Sequence, residues 1–278
     1  MRIRNSAEWD EGGKDLNTFL AVDELENRLG KCCVVPSYVG ELIHDRPMEY
    51  KISVESDDPV IRQQLLGTAF SRAMLLADQQ GMNARIYAEC RPEDEEMLAL
   101  FSTIGMIDND AIIEMSRAVV GGANLSRLPD GCIFVVDDLS SQAERNFFVE
   151  RQTRLFGREN AAAWTDELLH KKGMRRLLLA NREGLVGETV CYIDADGYGV
   201  IEEVYTAPAW RRRGVATFLM EEARRYFYEK GLSGCRLNVR IKMTAMTRTA
   251  SALGYRRSKV LLRLPGSDLD APKPKRRR

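Results

Sequence analysis

Two stretches of this chain, 150 residues apart, repeat one plan, and that repeat limits the possible fold more than any other feature. Ile52 to Gly81 aligns without a gap against Glu202 to Gly231, with Val54 on Val204 and Gly81 on Gly231. Each stretch reads as an apolar strand, a short break and a long helix ending at glycine, the residue that takes a left-handed helix cap most cheaply. The flanks correspond too. Ala84 to Met106 and Cys235 to Tyr255 each read as strand, polar break and short helix closing on Gly-Met or Gly-Tyr. Identity between the copies is low, so the match is one of pattern, and it reads as a tandem duplication of an α/β unit.

Composition narrows the class. At 278 residues the chain can hold two domains of ordinary size, and 44% hydrophobic with 29% charged residues is a globular balance. Lys plus Arg and Asp plus Glu are equal at 41 each, so no global charge points to nucleic acid. No apolar run approaches the roughly 20 residues of a membrane-spanning helix. The opening MRIRNSAEWDEGG lacks the apolar core of a signal peptide, so a cytoplasmic location and no membrane partner are expected. Six cysteines form no C-x-x-C pair, and His44 and His170 are the only histidines, so neither a metal site nor a histidine-centred triad is expected. Cys90, Cys132, Cys191 and Cys235 sit in strand-like apolar settings and read as small buried thiols.

The second copy carries something the first lacks. After the strand ending near Thr206, the chain runs through Pro208 into Arg211-Arg212-Arg213-Gly214-Val215-Ala216 and then a helix. The free N–H groups of a helix start, with its dipole, favour an anion. Gly214 lets a ligand approach the main chain, and three arginines add charge. In the first copy the same positions read Ile61-Arg62-Gln63-Gln64-Leu65-Leu66, with the glycine and most of the charge gone.

The segment resembles motif A of the GCN5-related N-acetyltransferases, the GNAT superfamily, whose pattern is Gln/Arg-x-x-Gly-x-Gly/Ala. Arg211, Gly214 and Ala216 fill its fixed positions. The resemblance implies an α/β fold with a mixed sheet, here as two tandem GNAT-like domains with a degenerate first copy, and acetyl-CoA as co-substrate. The expected boundaries are a degenerate domain over 1–120, a linker over 121–130, an acetyltransferase domain over 131–265 and a disordered basic tail over 266–278. In the family the motif strand holds the pantetheine arm, at positions that here are Val204, Tyr205 and Thr206. The loop amides hold the pyrophosphate, which assigns Arg211, Arg212, Arg213, Gly214, Val215, Ala216 and Thr217.

Local patterns place the elements. Leu16, Leu20, Leu25 and Leu29 have helical spacing, and Cys32 to Tyr38 reads as a strand. A helix is expected over Pro59 to Gln80, with Asp57 and Asp58 suited to its cap. In the second half we expect a strand from Cys132, helices over Ser140 to Phe156 and Ala161 to Lys172, and three antiparallel strands. The motif helix, a strand over Cys235 to Val239, a helix over Thr244 to Leu253 and a last strand over Lys259 to Leu264 follow. That order matches the acetyltransferase fold.

Acetyl transfer to an amine needs a proton acceptor for the amine, a polarised thioester carbonyl and a proton for the leaving thiolate. Glu202 and Glu203 are the candidate bases, Glu202 favoured. On a regular strand they face opposite ways, so one alone could face the cleft. The tyrosine that in the family precedes the Gly-aromatic pair by four residues is Ala250 here, and the family's asparagine is Met243. Tyr255, Tyr205 or water could protonate the thiolate in its place, and Tyr255 also reads as a core aromatic. A small-molecule amine is the expected acceptor, with Glu202, Glu203, Asp194 and Asp196 favouring a cation. A non-catalytic acyl-CoA-binding or interaction protein and a protein N-acetyltransferase remain alternatives. So does either a monomer or a homodimer. Nucleic acid is an unlikely partner, argued only by the five basic residues among the last six.

Overall fold

The computed structural model describes residues 1–6, 16–40, 42–121, 127–158 and 160–271. In chain order the elements are β1 (Arg2–Asn5), β2 (Thr18–Val22), β3 (Arg28–Tyr38), β4 (Met48–Glu55), α1 (Pro59–Gln80), β5 (Ala84–Tyr87), α2 (Glu95–Ser102) and β6 (Ala111–Ala118). Then come β7 (Ile133–Asp137), α3 (Gln142–Phe156), α4 (Ala161–Leu169), β8 (Lys172–Asn181), β9 (Gly184–Ile193) and β10 (Gly199–Thr206). The chain closes with α5 (Val215–Glu229), β11 (Gly234–Arg240), α6 (Thr244–Ala252), β12 (Arg256–Arg263) and β13 (Gly266–Leu269). They form two mixed sheets, ordered β1-β2-β3-β4-β5-β13 and β12-β6-β11-β10-β9-β8-β7. The repeat is visible in both: β4 and β5 pair in parallel across α1, as β10 and β11 do across α5.

The division is not into contiguous halves. One compact unit holds Met1–Ala111 and the chain from Leu261, and the other holds Ile112–Val260. This corrects the boundaries expected from the sequence. β6 follows the first copy yet pairs along β11 of the second sheet, from Gly234↔Ala118 to Arg240↔Ile112. Gly266–Leu269, expected in a disordered tail, is a strand on β5 of the first sheet. A strand's own pattern states which faces it buries and not which sheet receives it, so this exchange has no local signal. Most of the expected linker, 122–126, and the basic residues of the tail, 272–278, lie outside the described residues.

Leu16 to Leu29 is another correction. It folds as β2, a tight turn and the start of β3. Asp23 makes the turn, its Oδ1 accepting from the N–H of Leu25 and of Asn27 at 2.8 Å each. An aspartate turn of this kind competes with helix, and the leucine spacing was coincidental.

In the first unit, Leu65, Leu66, Ala69, Ala73 and Ala77 of α1 pack on Val34, Tyr50, Ile52 and Ile86 of the sheet. In the second, both faces of the sheet are covered. Val190 and Cys191, neighbours on β9 with opposite faces, are both buried. One face receives Leu139, Phe148 of α3 and Leu168 of α4. The other receives α5, brought close by two glycines. A Cβ on Gly187 would lie 2.5 Å from Val215 Cγ1, and one on Gly199 would lie 2.4 Å from the Phe227 ring.

β13 is fastened by charge as well as by its ladder. Arg85 on β5, 1% exposed, donates to Asp268 Oδ1 at 2.7 Å, Asn109 Oδ1 at 2.9 Å and the Leu264 carbonyl at 3.0 Å. Removing one partner of a buried ion pair strands the other, typically at ~3–5 kcal/mol. Asp268 is 31% exposed, which lowers the figure. Asp268→Ala should therefore cost roughly 1–3 kcal/mol in urea unfolding, and an unchanged midpoint would show that Arg85 does not depend on β13.

Candidate functional site

The site begins where a pairing stops. β10 pairs with β11 at Gly199↔Cys235, Val200↔Arg236 and Ile201↔Leu237, and no further. At that point β10 also slips its register against β9, because Ile201 faces Cys191 and Glu203 faces Val190, leaving Glu202 as the extra residue of a β-bulge. A bulge bends its strand and redirects side chains. Beyond it, the edge of β10 over 202–206 is released from β11 while still held by β9. In the first unit the corresponding Ile52 sits in an unbroken ladder against Val34.

The bulge removes the opposite facing expected of a regular strand, for both carboxylates find partners on the face of Val190 and Tyr192. Glu202 accepts from Tyr192 Oη at 3.1 Å. Glu203 accepts from Gln152 Nε2 of α3 at 2.7 Å and from Arg158 Nη2. Burial raises the Glu203 carboxyl above the usual glutamate range, and Arg158 and Gln152 only partly oppose it. Burial, and then the Glu202 charge, push Tyr192 up as well, so its hydroxyl stays a donor.

The loop after β10 is built by few contacts. Ala207 N–H donates to the Val186 carbonyl at 2.9 Å, and Pro208–Trp210 make one tight turn. Arg211 Nε donates to the Thr206 carbonyl at 3.3 Å. Arg212 and Gly214 both take positive φ, 63° and 81°. Arg213 lies over the Trp210 ring at 5.0 Å. α5 then starts with no side-chain hydrogen bond at its cap, leaving the first-turn amides of Val215, Ala216 and Thr217 without a capping acceptor among the described residues. A Cβ built on Gly214 meets nothing within 4 Å, so the space beside it is open. Thr206 shares the face of Gly187, on which the first turn of α5 packs, and its hydroxyl is buried without a partner among the described residues. An uncapped helix start and an orphaned hydroxyl both fit an oxygen-rich anion there.

The first unit also parts its parallel pair, β4 leaving β5 after Lys51↔Tyr87, but it has neither the bulge nor the loop. Pro59, where α1 begins, corresponds to Ala209, so the residues that form the arginine loop in one unit are helix in the other. Asp58 caps α1 itself, accepting from the N–H of Val60 at 2.8 Å and of Ile61 at 3.1 Å.

Other expected residues fall as follows. Val204 and Thr206 are half-buried on the α5 face, and Tyr205 is buried on the Glu203 face. Tyr255 requires correction. It is 1% exposed and its hydroxyl is 3.2 Å from Cys235 Sγ, with its ionisation pushed far up by burial. It is a core residue. Asp194 and Asp196 do not join the glutamates, because they bind Arg236 at 2.5 and 3.0 Å. The cysteines are free thiols; Cys191 and Cys32 are each pushed up to about 12 by burial, which leaves them unreactive. No group of three or more metal-ligating side chains occurs among the described residues, and no described helix is long and apolar enough to cross a membrane. Sequence reading missed Tyr192, Gln152 and Arg158, which reach the glutamates from other elements and carry no motif.

Residues 136–255 match the model of the Acetyltransferase (GNAT) family. Over the whole chain the fold is similar to a GCN5-related N-acetyltransferase from Sphaerobacter thermophilus, at TM-score 0.51 and 18% identity over 95% of this chain and 85% of that one. It is also similar to a GCN5-related N-acetyltransferase from Anabaena variabilis, at TM-score 0.53 and 9% identity over 90% of this chain and 62% of that one. At such identities the likeness is one of fold. No curated protein matches the sequence. Residues 136–255 thus match the GNAT family, and the chain as a whole shares the fold of these GCN5-related N-acetyltransferase structures.

Glu203 gives a signed pH test. A carboxyl whose folded pKa is raised stabilises the fold fully below its unfolded value, and that contribution is lost as pH rises through the folded value. Glu203→Gln cannot ionise, so its melting temperature should gain on that of the wild type as pH rises above the unfolded glutamate value of about 4.3. A gap independent of pH would show that burial does not govern Glu203.

Proposed function

We propose that the chain transfers an acetyl group from acetyl-CoA directly to the primary amine of a small cationic molecule, using its second unit. The observation that carries this reading is the uncapped α5 start, with its open Gly214 and orphaned Thr206 hydroxyl, set at the end of a strand edge released by a bulge. The amides of 212–217 would hold the pyrophosphate, with the arginines adding charge. The released edge of Val204, Tyr205 and Thr206 would hold the pantetheine arm by main-chain bonds. Acetyl-CoA supplies the activated carbonyl. Glu202 accepts the proton of the amine, directly or through one water, as the nitrogen–carbon bond forms and the carbon–sulfur bond breaks. With Tyr255 in the core and Ala250 and Met243 at the family's polar positions, solvent protonates the departing thiolate.

The N-terminal unit is, in this reading, the copy that lost acyl-CoA. Asp58 occupies the helix amides an anion would need. Arg62 is committed to the Ser56 carbonyl at 2.9 Å and to Glu96 at 2.8 Å. Lys51, on the last β4–β5 rung, pairs with Glu89 at 2.7 Å. The burial of Tyr255 favours one second reading, in which the protein binds acyl-CoA without turnover.

Two variants test the site. Gly214→Glu places a carboxylate in the anion space and strains a positive φ, so the Kd for CoA should rise at least about tenfold, more than ~1.4 kcal/mol. Gly214→Ala, which adds only a Cβ in open space and roughly 1 kcal/mol of backbone strain, should keep most CoA affinity. Equal Kd for Gly214→Glu and wild type, by equilibrium dialysis, would remove the loop from the account. Glu202→Gln should lower kcat by roughly 10²–10⁴ with CoA affinity unchanged. Full turnover in that variant would exclude Glu202 as base, and no turnover by the wild type with any amine would favour the binding-only reading.

A further inference from the structure

The two glutamates of the bulge are held very differently. Glu203 has both oxygens engaged, Oε2 by Gln152 and Oε1 by Arg158, and Arg158 Nε donates to Gln152 Oε1 at 3.3 Å, which closes a ring of three side chains. The ring is braced. Gln152 is fully buried, the Arg158 guanidinium lies 3.8 Å over the Trp164 ring, and Trp164 stacks on Phe148 at 5.9 Å. Glu202 holds a single hydrogen bond among the described residues, from Tyr192.

The arginines of α3 and β8 that face this pair are already spent. Arg151 of α3 binds Glu188 at 2.5 and 2.6 Å, and Arg176 of β8 binds the same carboxylate at 2.7 Å. α4 contributes the uncharged Trp164, and from beyond its end Lys171 stands 5.8 Å from the Tyr192 ring. Adjacent carboxylates raise one another's pKa and titrate as a pair unless a cation offsets one of them. Arg158 is the cation bound to Glu203.

We propose that Arg158, steered by Gln152 and Trp164, is a positioning residue that withholds Glu203 from the acceptor and leaves Glu202 as the one carboxylate that takes the amine's proton. This rests on the acyl-transfer reading above and assigns unequal roles to two glutamates the sequence presents as equals. It also accounts for a part-buried arginine–glutamate pair beside the bulge, because the pair cancels a charge that would otherwise press on Glu202.

The test does not depend on knowing the acceptor. Glutamate side chains are labelled with ¹³C at the carboxyl in the full chain, and their midpoints are followed by NMR as pH is varied, with Glu202→Gln and Glu203→Gln to assign the two signals. Arg158→Gln should raise the midpoints of the pair by roughly one pH unit or more. Arg158→Lys, which keeps the charge and loses the planar fork, should raise them less. The charge-balanced double variant Arg158→Gln/Glu203→Gln should return the Glu202 midpoint toward its wild-type position. It also provides the check should Arg158→Gln alone fold poorly. With an acceptor in hand, the acid limb of kcat/KM should move with the Glu202 midpoint across the same variants.

Midpoints that stay in place in Arg158→Gln would overturn the proposal, as would a double variant that fails to return the Glu202 midpoint. Unmoved midpoints alongside continued acetylation would remove Arg158 and leave the acyl-transfer reading standing. Midpoints that move as expected in a protein that acetylates no amine would overturn the proton-accepting role together with that reading.

Discussion

Three rungs of parallel pairing join β10 to β11, and then the strands part at a bulge. The chemistry proposed for the second unit is built around that bulge. The main chain over 202–206 keeps its bonds to β9 and presents its other edge. The bulge turns Glu202 toward the side already holding Glu203. The strand then delivers its last residue, Thr206, beneath the start of α5. Gly187 and Gly199 let α5 lie against the sheet, and a Cβ at either would push the helix away.

In the proposed reading, one fold gains or loses an acyl-CoA site through small changes. Both have the parallel pair and the connecting helix. In the first, the ladder is unbroken at Ile52, the helix starts at Pro59 and Asp58 satisfies its amides. In the second, the same stretch is a loop through two positive-φ residues and the helix start is uncapped. A cap stabilises a helix by about 1 kcal/mol, so an uncapped start is a cost unless a ligand supplies the acceptor. The exchange of β6 and β13 gives each sheet a strand from outside its own copy, so neither sheet is complete within a contiguous half of the chain.

Much of this was legible in the sequence. The repeat gave both crossover helices, since strand-helix-glycine is a local pattern, and Gly81, the cap of α1, takes the positive φ that its position implied. Arg211, Gly214 and Ala216 located the loop because the chemistry of an anion site is written in adjacent residues. What failed was non-local. Strand alternation assigned Glu202 and Glu203 to opposite faces, and only the register with β9 reveals the bulge. Tyr192, Gln152 and Arg158 reach the site from two other elements. Tyr255 reads first as a core aromatic and second as an acid, and its neighbour Cys235 supports the first. The receiving sheet of β6 and β13 is decided by pairings far along the chain, and the helical spacing of Leu16 to Leu29 lost to one aspartate turn.

The central claim is that a single acyl-CoA site exists, built by the second unit's uncapped helix and absent from the first. Calorimetric titration of acetyl-CoA into the full chain measures it directly. The account predicts one site per chain. Two equivalent sites would contradict the closure of the N-terminal unit by Asp58, and no binding would contradict the reading of the Gly214 loop as an anion cradle.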